Sequence, residues 1–202
     1  MTSCQSTTGR KRVSIGAVRH PECEEAILRA ATEILEEQGY RAFSIQAVVK
    51  RAQSSKPSIY RRWRNKGLLI MAVYERLGEA AIVMPPPSSL RQELEEYLKC
   101  IWQWWRGSGS GEVLRSFITE AQLDPLSVAE LRQSFVPRRA RILYAIFNRA
   151  RERGEISSQV NIDAAVALLM GASWLRLMTD NLSNVNENSA FVDVVLKGLM
   201  AV

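Results

Sequence analysis

The sequence predicts an all-α protein in which a small N-terminal helical domain precedes a larger helical one. Apolar residues recur three and four positions apart through most of the 202 residues, and no segment shows the alternation of a strand. Three consecutive prolines at 85–87 interrupt this pattern most sharply. Residues 1–66 contain 13 Lys and Arg against 6 Asp and Glu, whereas residues 67–202 contain 14 against 15. A basic module joined to a nearly neutral one is typical of a nucleic-acid-binding domain followed by a ligand or partner domain.

The composition limits the class of protein. Hydrophobic residues at 47% and charged residues at 24% are ordinary for a globular chain, and no apolar run approaches the roughly 18 residues of a membrane span. No apolar segment near the N-terminus indicates a secretion signal. Cys4, Cys23 and Cys100 are too few and too scattered for a disulfide framework or a metal cluster. We therefore expect a cytoplasmic protein without a metal, a cofactor or a membrane partner.

The N-terminal region divides into an arm and a first helix. Residues 1–20 are polar and basic and predict a disordered arm, which either follows the minor groove of DNA or is only solvated. A first helix is expected from Pro21, with acidic residues in its first turn, to Gly39, which ends it. Its apolar stripe is expected to share one core with the next two helices.

Residues 44–66 predict two short helices joined by a tight turn. Ser44 and Ser55 are both suited to cap a helix N-terminus, and Pro57 falls in the first turn of the second helix, where its missing N–H costs nothing. Apolar residues four apart form the buried side of that helix, which leaves a cationic outer face. Because a helix about 12 Å wide fits the major groove of DNA, this segment predicts a helix–turn–helix whose second helix reads bases.

The order and spacing of these residues resemble the DNA-binding domain of the TetR family of bacterial transcriptional regulators, over roughly residues 22–80. The resemblance rests on QGY at 38–40, FSI at 43–45, SKPSIYRRW at 55–63 and NK at 65–66. One departure is the turn, where the family commonly has Gly then Val and this chain has Gln53 and Ser54. If Gln53 adopts a positive φ, the strain is on the order of 1 kcal/mol.

The resemblance implies a homodimer that binds a double-stranded, palindromic DNA operator and is released by a small-molecule effector. By match to the family motif, the residues that face bases are Gln46, Lys56, Pro57, Ser58 and Arg61. The residues that hold phosphates are Ser44, Tyr60, Arg62 and Lys66. Asn65 is expected to cap the next helix, so that Lys66 and free backbone N–H groups meet at one phosphate position.

The predicted domains are a helix–turn–helix domain over 21–66, a connecting helix over 67–84, and an effector-binding and dimerisation domain over 85–202. In the third, helices are expected over 90–105 and 112–123, from 124 to 154 with a break or restart at Pro137, and over 161–180 and 189–200. The glycine- and serine-rich stretch 106–111 predicts a flexible loop.

The last two predicted helices are apolar around most of their circumference and need more than one neighbour to cover them. A symmetric partner would do so by packing two helices from each subunit into a four-helix interface. The alternative is that both helices are internal to one chain.

One helix cannot direct Trp102, Trp104 and Trp105 the same way, so at least one of them is expected inside the domain. The resemblance makes that interior an effector pocket for an apolar or aromatic molecule. Its expected walls include Trp102, Trp105, Phe117, Phe135, Tyr144, Phe147, Met170 and Trp174. Ordinary core packing explains the same residues equally well.

Two other classes of protein compete with the regulator. An enzyme is disfavoured because the single histidine, His20, lies in the predicted arm, which leaves no histidine-based catalytic triad for the core. The remaining alternative is a helical protein–protein adaptor with non-specific nucleic-acid binding, in which the tryptophans anchor an interface.

Overall fold

The computed structural model describes residues 21–182 and 188–200, and all regular structure within these ranges is helical. The predicted arm at 1–20, with His20, lies outside the described residues. The helices are α1 Pro21–Ala42, α2 Ile45–Arg51, α3 Lys56–Tyr60, α4 Lys66–Ala81, α5 Leu90–Gly107, α6 Ser110–Ala121, α7 Pro125–Glu130, α8 Val136–Glu152, α9 Ile162–Met178 and α10 Asn188–Met200. The all-α prediction is confirmed for this part of the chain.

The first three helices enclose one small core. Helix α1 buries an apolar stripe that packs against α2 and α4, and Ile59 from α3, which packs against α2, is completely buried. Gly39, with φ 72° and ψ 178°, interrupts the helical backbone of α1, and one further turn reaches Ala42. The expected end at Gly39 is therefore a break followed by a short extension, which only a glycine adopts without strain.

Helix α4 connects this core to the rest of the molecule. It ends at Ala81, slightly before the expected 84, because Ile82 takes an extended backbone with φ −109° and ψ 98°. The prolines that follow are held in place: the Pro85 carbonyl accepts a hydrogen bond from Arg149 Nη2 at 3.2 Å. Glu93, fully buried, receives the Ser88 N–H at 2.9 Å and Arg149 Nε at 3.1 Å.

The glycine- and serine-rich stretch 106–111 is not the flexible loop that the sequence predicts. Helix α5 continues to Gly107, α6 starts at Ser110, and only two residues separate them. A β-carbon on Gly111 would lie 2.6 Å from the Trp105 carbonyl oxygen and 3.1 Å from Leu177 Cδ1. Gly111 is therefore a close-packing position between helices, which composition alone does not distinguish from a linker.

The helical run from 124 to 154 contains the irregularity that Pro137 predicts. Residues 131–135 form a π-helical turn, closed by the Val136 N–H bonding to the Leu131 carbonyl, and α8 begins at Val136. The chain thus accommodates the missing N–H of Pro137 by a local change of helical pitch instead of a loop. Helices α5, α6, α8 and α9 then surround the larger core.

Candidate DNA-binding surface and interior cavity

Serine caps fix the two helices of the helix–turn–helix. Ser44 Oγ accepts the Ala47 N–H at 3.1 Å, and Ser55 Oγ accepts the Ser58 N–H at 3.3 Å. Between the helices, Gln53 takes φ 48° and the Ser54 N–H bonds back to the Val49 carbonyl at 3.1 Å. The departure noted in the turn therefore has a structural consequence, because Gln53 occupies the left-handed conformation that glycine adopts at lower cost.

Burial orients α3 as its sequence predicts. Ile59 is 0% exposed and Trp63 8% exposed, so the opposite side of the helix faces solvent. Five of the nine expected DNA-contacting residues are exposed on this side and on α2: Gln46, Lys56, Pro57, Tyr60 and Arg61. Ser44, Ser58, Arg62 and Lys66 are half-buried at its edges.

Arg62 is tied to the protein. Its Nε lies 3.4 Å from Glu24 Oε2 on α1, and its Nη1 donates to the Ser58 carbonyl at 3.3 Å. Only 13% of the side chain is exposed. A phosphate would therefore have to share this guanidinium with Glu24.

Lys66 also has protein partners, at the junction of the two helical domains. Its Nζ lies 3.7 Å from Glu120 Oε1 on α6 and 4.5 Å above the ring of Tyr40. Burial and the nearby Glu120 carboxylate raise the pKa of Tyr40, which keeps this phenol protonated. The N-terminus of α4 thus places one cation between the expected phosphate position and a carboxylate of the larger domain.

The larger domain encloses a small cavity of about 20 Å³. Its walls come from α4, α5, α6, α8, α9 and the π-helical turn, and they are Tyr74, Tyr97, Ile101, Trp105, Leu114, Phe135, Arg139, Leu143, Leu169, Met170, Ser173 and Trp174. The Trp105 indole N–H donates to the Tyr74 hydroxyl at 2.7 Å. The lining is mainly apolar, as in small-molecule sites, and the volume holds about one water molecule, so a larger ligand enters only when these walls move apart.

Four of the expected wall residues line the cavity: Trp105, Phe135, Met170 and Trp174. The other four do not line this cavity. Trp102 stacks on Arg176, 4.9 Å from ring centroid to Cζ, and lies 6.5 Å from the ring of Phe191. Phe117 lies behind Phe135 with ring centroids 5.9 Å apart, Phe147 is fully buried in the core, and the Tyr144 hydroxyl donates to Asp163 at 2.9 Å.

The sequence did not indicate the other eight wall residues, which are two tyrosines, four aliphatic side chains, Ser173 and Arg139. One signal could have found part of the set, because Tyr97, Ile101 and Trp105 follow each other at intervals of four on α5 and so share a face. That face leads to the cavity, whereas Trp102 and Trp104 project from other sides of the helix. The remaining walls come from helices distant in sequence.

An apolar face of α9 and α10 is exposed. Leu168 and Leu175 are each 64% exposed and Val194 is 70% exposed. Residues 164, 168, 172, 191, 194 and 198 contribute to an open groove between the two helices. Large exposed apolar faces of this kind mark interaction surfaces.

Neither a membrane-spanning helix nor a metal site occurs among the described residues. No described helix combines the length and the hydrophobicity needed to cross a bilayer. No group of three or more His, Cys, Asp or Glu side chains suited to a metal ion occurs in this part of the chain.

Family profiles of one group of bacterial regulators match both the N-terminal and the C-terminal part of the chain. Residues 27–73 match the family profile "Bacterial regulatory proteins, tetR family", and residues 84–192 match "Tetracyclin repressor-like, C-terminal domain". The HTH-type transcriptional regulator YdeS of Bacillus subtilis is 26% identical over 163 residues, which cover 81% of this chain and 82% of that protein.

A relative in Mycobacterium tuberculosis, the HTH-type transcriptional regulator Rv1556, is 28% identical over 174 residues, covering 86% of this chain and 85% of that protein. The crystal structure of the TetR family transcription regulator SCO0332 superposes with a TM-score of 0.79 at 26% identity, covering 88% of this chain and 98% of that one. The chain belongs to the TetR family and is a DNA-binding transcriptional regulator.

Proposed function

We propose that this regulator is a homodimeric repressor that binds a palindromic operator in the cytoplasm and leaves it when a small organic effector enters the cavity. One observation carries the proposal: α4 begins at Lys66, beside the DNA-reading surface, and supplies Tyr74 to the cavity wall eight residues later. At 1.5 Å per residue the two positions are roughly 12 Å apart along one helix.

The exposed side of α3 supports the DNA contacts. In this proposal the exposed Gln46, Lys56, Pro57 and Arg61, together with half-buried Ser58, face base edges. Ser44, Tyr60, Arg62 and Lys66 hold phosphates. Ser44 Oγ accepts its capping hydrogen bond, which leaves its own O–H to donate to a phosphate oxygen.

The exposed face of α9 and α10 supports dimerisation through the last two helices. Leu168, Leu175 and Val194 would be covered by the same residues of a second copy, as an isologous interface requires. Dimerisation would place two recognition helices on successive major grooves, about 34 Å apart. We place the domain boundaries where the sequence predicts them, with 21–66 reading DNA, 67–84 connecting, and 85–202 binding the effector and the second copy.

The effector would release the protein from the operator if it binds the free conformation of α4 more tightly than the operator-bound conformation. Only a ligand with different affinities for the operator-bound and free conformations can shift the equilibrium between them. Because α4 forms the cavity wall together with α5 and α8, a movement of α4 would change the shape of the cavity. By reciprocity, operator binding would weaken effector binding by the same factor.

Selection from a random duplex library at about 150 mM salt tests the proposal, because this salt concentration suppresses non-specific binding. We expect enrichment of a palindrome with half-sites about one helical turn apart. Enrichment of no motif by folded protein would contradict the proposal and favour the adaptor with non-specific nucleic-acid binding. The enriched duplex then serves as the probe for effector-induced release.

A further inference from the structure

Arg139 on α8 is a half-buried arginine whose guanidinium reaches partly into the protein. Its Nε and Nη1 atoms are buried and have no hydrogen-bond partner among the described residues. No carboxylate within residues 21–182 and 188–200 forms an ion pair with it. An uncompensated buried charge is costly, so proteins retain one mainly where a ligand supplies the missing charge.

The neighbouring Arg138 shows what an ordinary arginine does at this point of the fold. Its Nε donates to Glu75 Oε1 on α4 at 2.7 Å, and its Nη1 donates to Ser134. Arg138 thus has an ion-pair partner and a hydroxyl partner, and it joins α8 to α4. Arg139, one residue later, reaches the interior with neither.

Arg139 lines the small apolar cavity on one side and, on the other, a larger recess of about 410 Å³ that is partly open to solvent. The guanidinium therefore lies where a molecule that enters from the recess meets the apolar chamber. The remaining walls of that chamber include no other cationic side chain. One cation in an apolar cavity matches one anionic group on an apolar body.

The two tyrosines of the cavity wall cannot neutralise Arg139, and the carboxylate that lines the recess, the exposed Glu79, forms no ion pair with it in the described part of the chain. Burial raises the pKa of Tyr97 to about 12 and raises that of Tyr74 as well, although the positive charge of Arg139 acts in the opposite direction on both. Both phenols therefore remain neutral at physiological pH. Because the Trp105 indole already donates to the Tyr74 oxygen, the O–H of Tyr74 remains to donate to an acceptor in the cavity.

Gly78 on α4 leaves room for the Arg139 guanidinium, because it has no side chain. A β-carbon at this position would overlap Arg139 Nη1 and lie 3.2 Å from Trp104 Cη2. Glycine therefore allows the charged group to rest directly against the backbone of the connecting helix. A ligand that draws the guanidinium toward the cavity would change this contact with α4.

We propose that Arg139 binds the carboxylate of an effector whose aromatic or aliphatic body enters between the apolar walls and widens the cavity, so that the natural effector is an organic monoacid. The inference rests on the proposed effector function and specifies the chemical class of the ligand. The planar guanidinium can form two parallel hydrogen bonds to a carboxylate. Movement of Arg139 against Gly78 would then transmit binding to α4.

The test uses matched pairs of acids and amides, which have nearly the same shape and differ in charge: benzoate with benzamide, 1-naphthoate with 1-naphthamide, and octanoate with octanamide. Binding to the full-length protein is measured by calorimetry without DNA. We expect at least one acid to bind about ten to a hundred times more tightly than its amide, as charge-assisted hydrogen bonds predict. If no acid binds better than its amide, the proposal is wrong.

Arg139→Gln should abolish this preference, whereas Arg132→Gln, which removes an exposed arginine of the π-helical turn, should retain it. An acid preference that survives Arg139→Gln in folded protein would place the anion elsewhere and overturn the proposal. The melting temperature gives a second readout. Arg139→Gln should lower it less than Arg138→Gln, because only Arg138 loses an ion pair; the reverse order would assign Arg139 a structural role and contradict the inference.

Operator binding is measured separately with the selected duplex. If an acid binds through Arg139 and leaves operator affinity unchanged, the proposed release mechanism is wrong, while the anion site stands. If the acid releases the wild-type protein from the operator and not Arg139→Gln, both proposals are supported.

Discussion

Asn65 and Ser127 join the start of α4 to the start of α7. Asn65 Nδ2 donates to Ser127 Oγ at 2.9 Å, while its Oδ1 accepts the Leu68 N–H at 2.9 Å and so caps α4. Asp124 completes the group, because its Oδ2 accepts the Ser127 O–H at 2.6 Å and an Asn65 N–H at 3.3 Å. Asn65, which caps the connecting helix α4, is thus also bound to the C-terminal domain. A displacement of α4 would therefore be transmitted to α7, and the reverse.

Asp124 should make this junction sensitive to acid. The hydrogen bond from the Ser127 hydroxyl, the backbone N–H groups of Leu126 and Ser127, and Asn65 hold the pKa of Asp124 below its ordinary value of 3.8, against the opposing effect of burial. Because the folded-state pKa is lowered, the contribution to stability is full above 3.8 and is lost as the pH falls through the folded value. Asp124→Asn should therefore destabilise the protein near neutrality and have little effect in acid.

Urea denaturation of wild type and Asp124→Asn at about pH 7 and about pH 2.5 measures this difference. The gap between the two midpoints should shrink at the lower pH. A gap of the same size at both pH values would show that the Asp124 charge contributes nothing to the junction.

The turn of the helix–turn–helix should become more stable with glycine. Gln53 has φ 48°, so Gln53→Gly removes the steric cost of the left-handed conformation and raises the free energy of unfolding by about 0.5–1 kcal/mol, after the entropy cost of glycine. Gln122→Gly is the control, because Gln122 has φ −64° and carries no such strain. Urea denaturation should show Gln53→Gly stabilised and Gln122→Gly destabilised. A change of the same sign in the free energy of unfolding of both variants would contradict the explanation by backbone strain.

Close packing at the start of α6 should not tolerate a methyl group. Gly111→Ala places a β-carbon against the Trp105 carbonyl and Leu177, and we expect it to lower the free energy of unfolding by about 1–3 kcal/mol. Gly107→Ala, in the same stretch, meets no atom within 4 Å and should be neutral or slightly stabilising. Thermal melts of the two variants should separate them clearly. Equal melting temperatures would mean that the α5–α6 contact relaxes without cost.

The two glycines show why sequence predicts some parts of this fold and not others. Caps, prolines and apolar spacing are local signals, and they predicted Ser44, Ser55 and Asn65 at the helix starts where the structure has them. Gly107 and Gly111 have the same local surroundings. Gly111 owes its packing role to the Trp105 carbonyl of the preceding helix and to Leu177 of α9, more than 60 residues later in the chain, and the composition of the stretch indicates neither contact.

The same distinction applies to the candidate sites. The exposed side of α3 follows from Ile59 and Trp63 at helical spacing, so its DNA-facing residues could be named from the sequence. The cavity walls could be named only in part, because aromatic composition cannot separate Trp105, which lines the cavity, from Phe147, which does not. Arg139 was out of reach because an arginine carries no sequence mark that predicts burial without a partner.

Lys66 and Lys56 should have different effects on DNA binding. Lys66→Ala should weaken binding to specific and random duplexes alike and reduce the slope of log K against log salt by about 1, as loss of one phosphate contact predicts. Lys56→Ala should instead relax the preference at one base pair per half-site, at a cost of about 1–3 kcal/mol. Fluorescence anisotropy on both duplexes over a salt series measures the two effects. A sequence-selective loss for Lys66→Ala would contradict its phosphate role.

The exposed face of α9 should be the surface that a second copy covers. Leu168 is 64% exposed, and Leu168→Glu would bury a charge in the proposed interface without disturbing the core of the monomer. Leu123→Glu is the matched control, because Leu123 is 85% exposed between α6 and α7, away from this face. Sedimentation equilibrium should show Leu168→Glu shifted toward monomer and Leu123→Glu unchanged. Operator affinity should fall only for Leu168→Glu, because a monomer contacts one half-site and loses the gain of bivalent binding. A dimeric Leu168→Glu protein would place the interface elsewhere and leave the apolar groove of α9 and α10 for another partner.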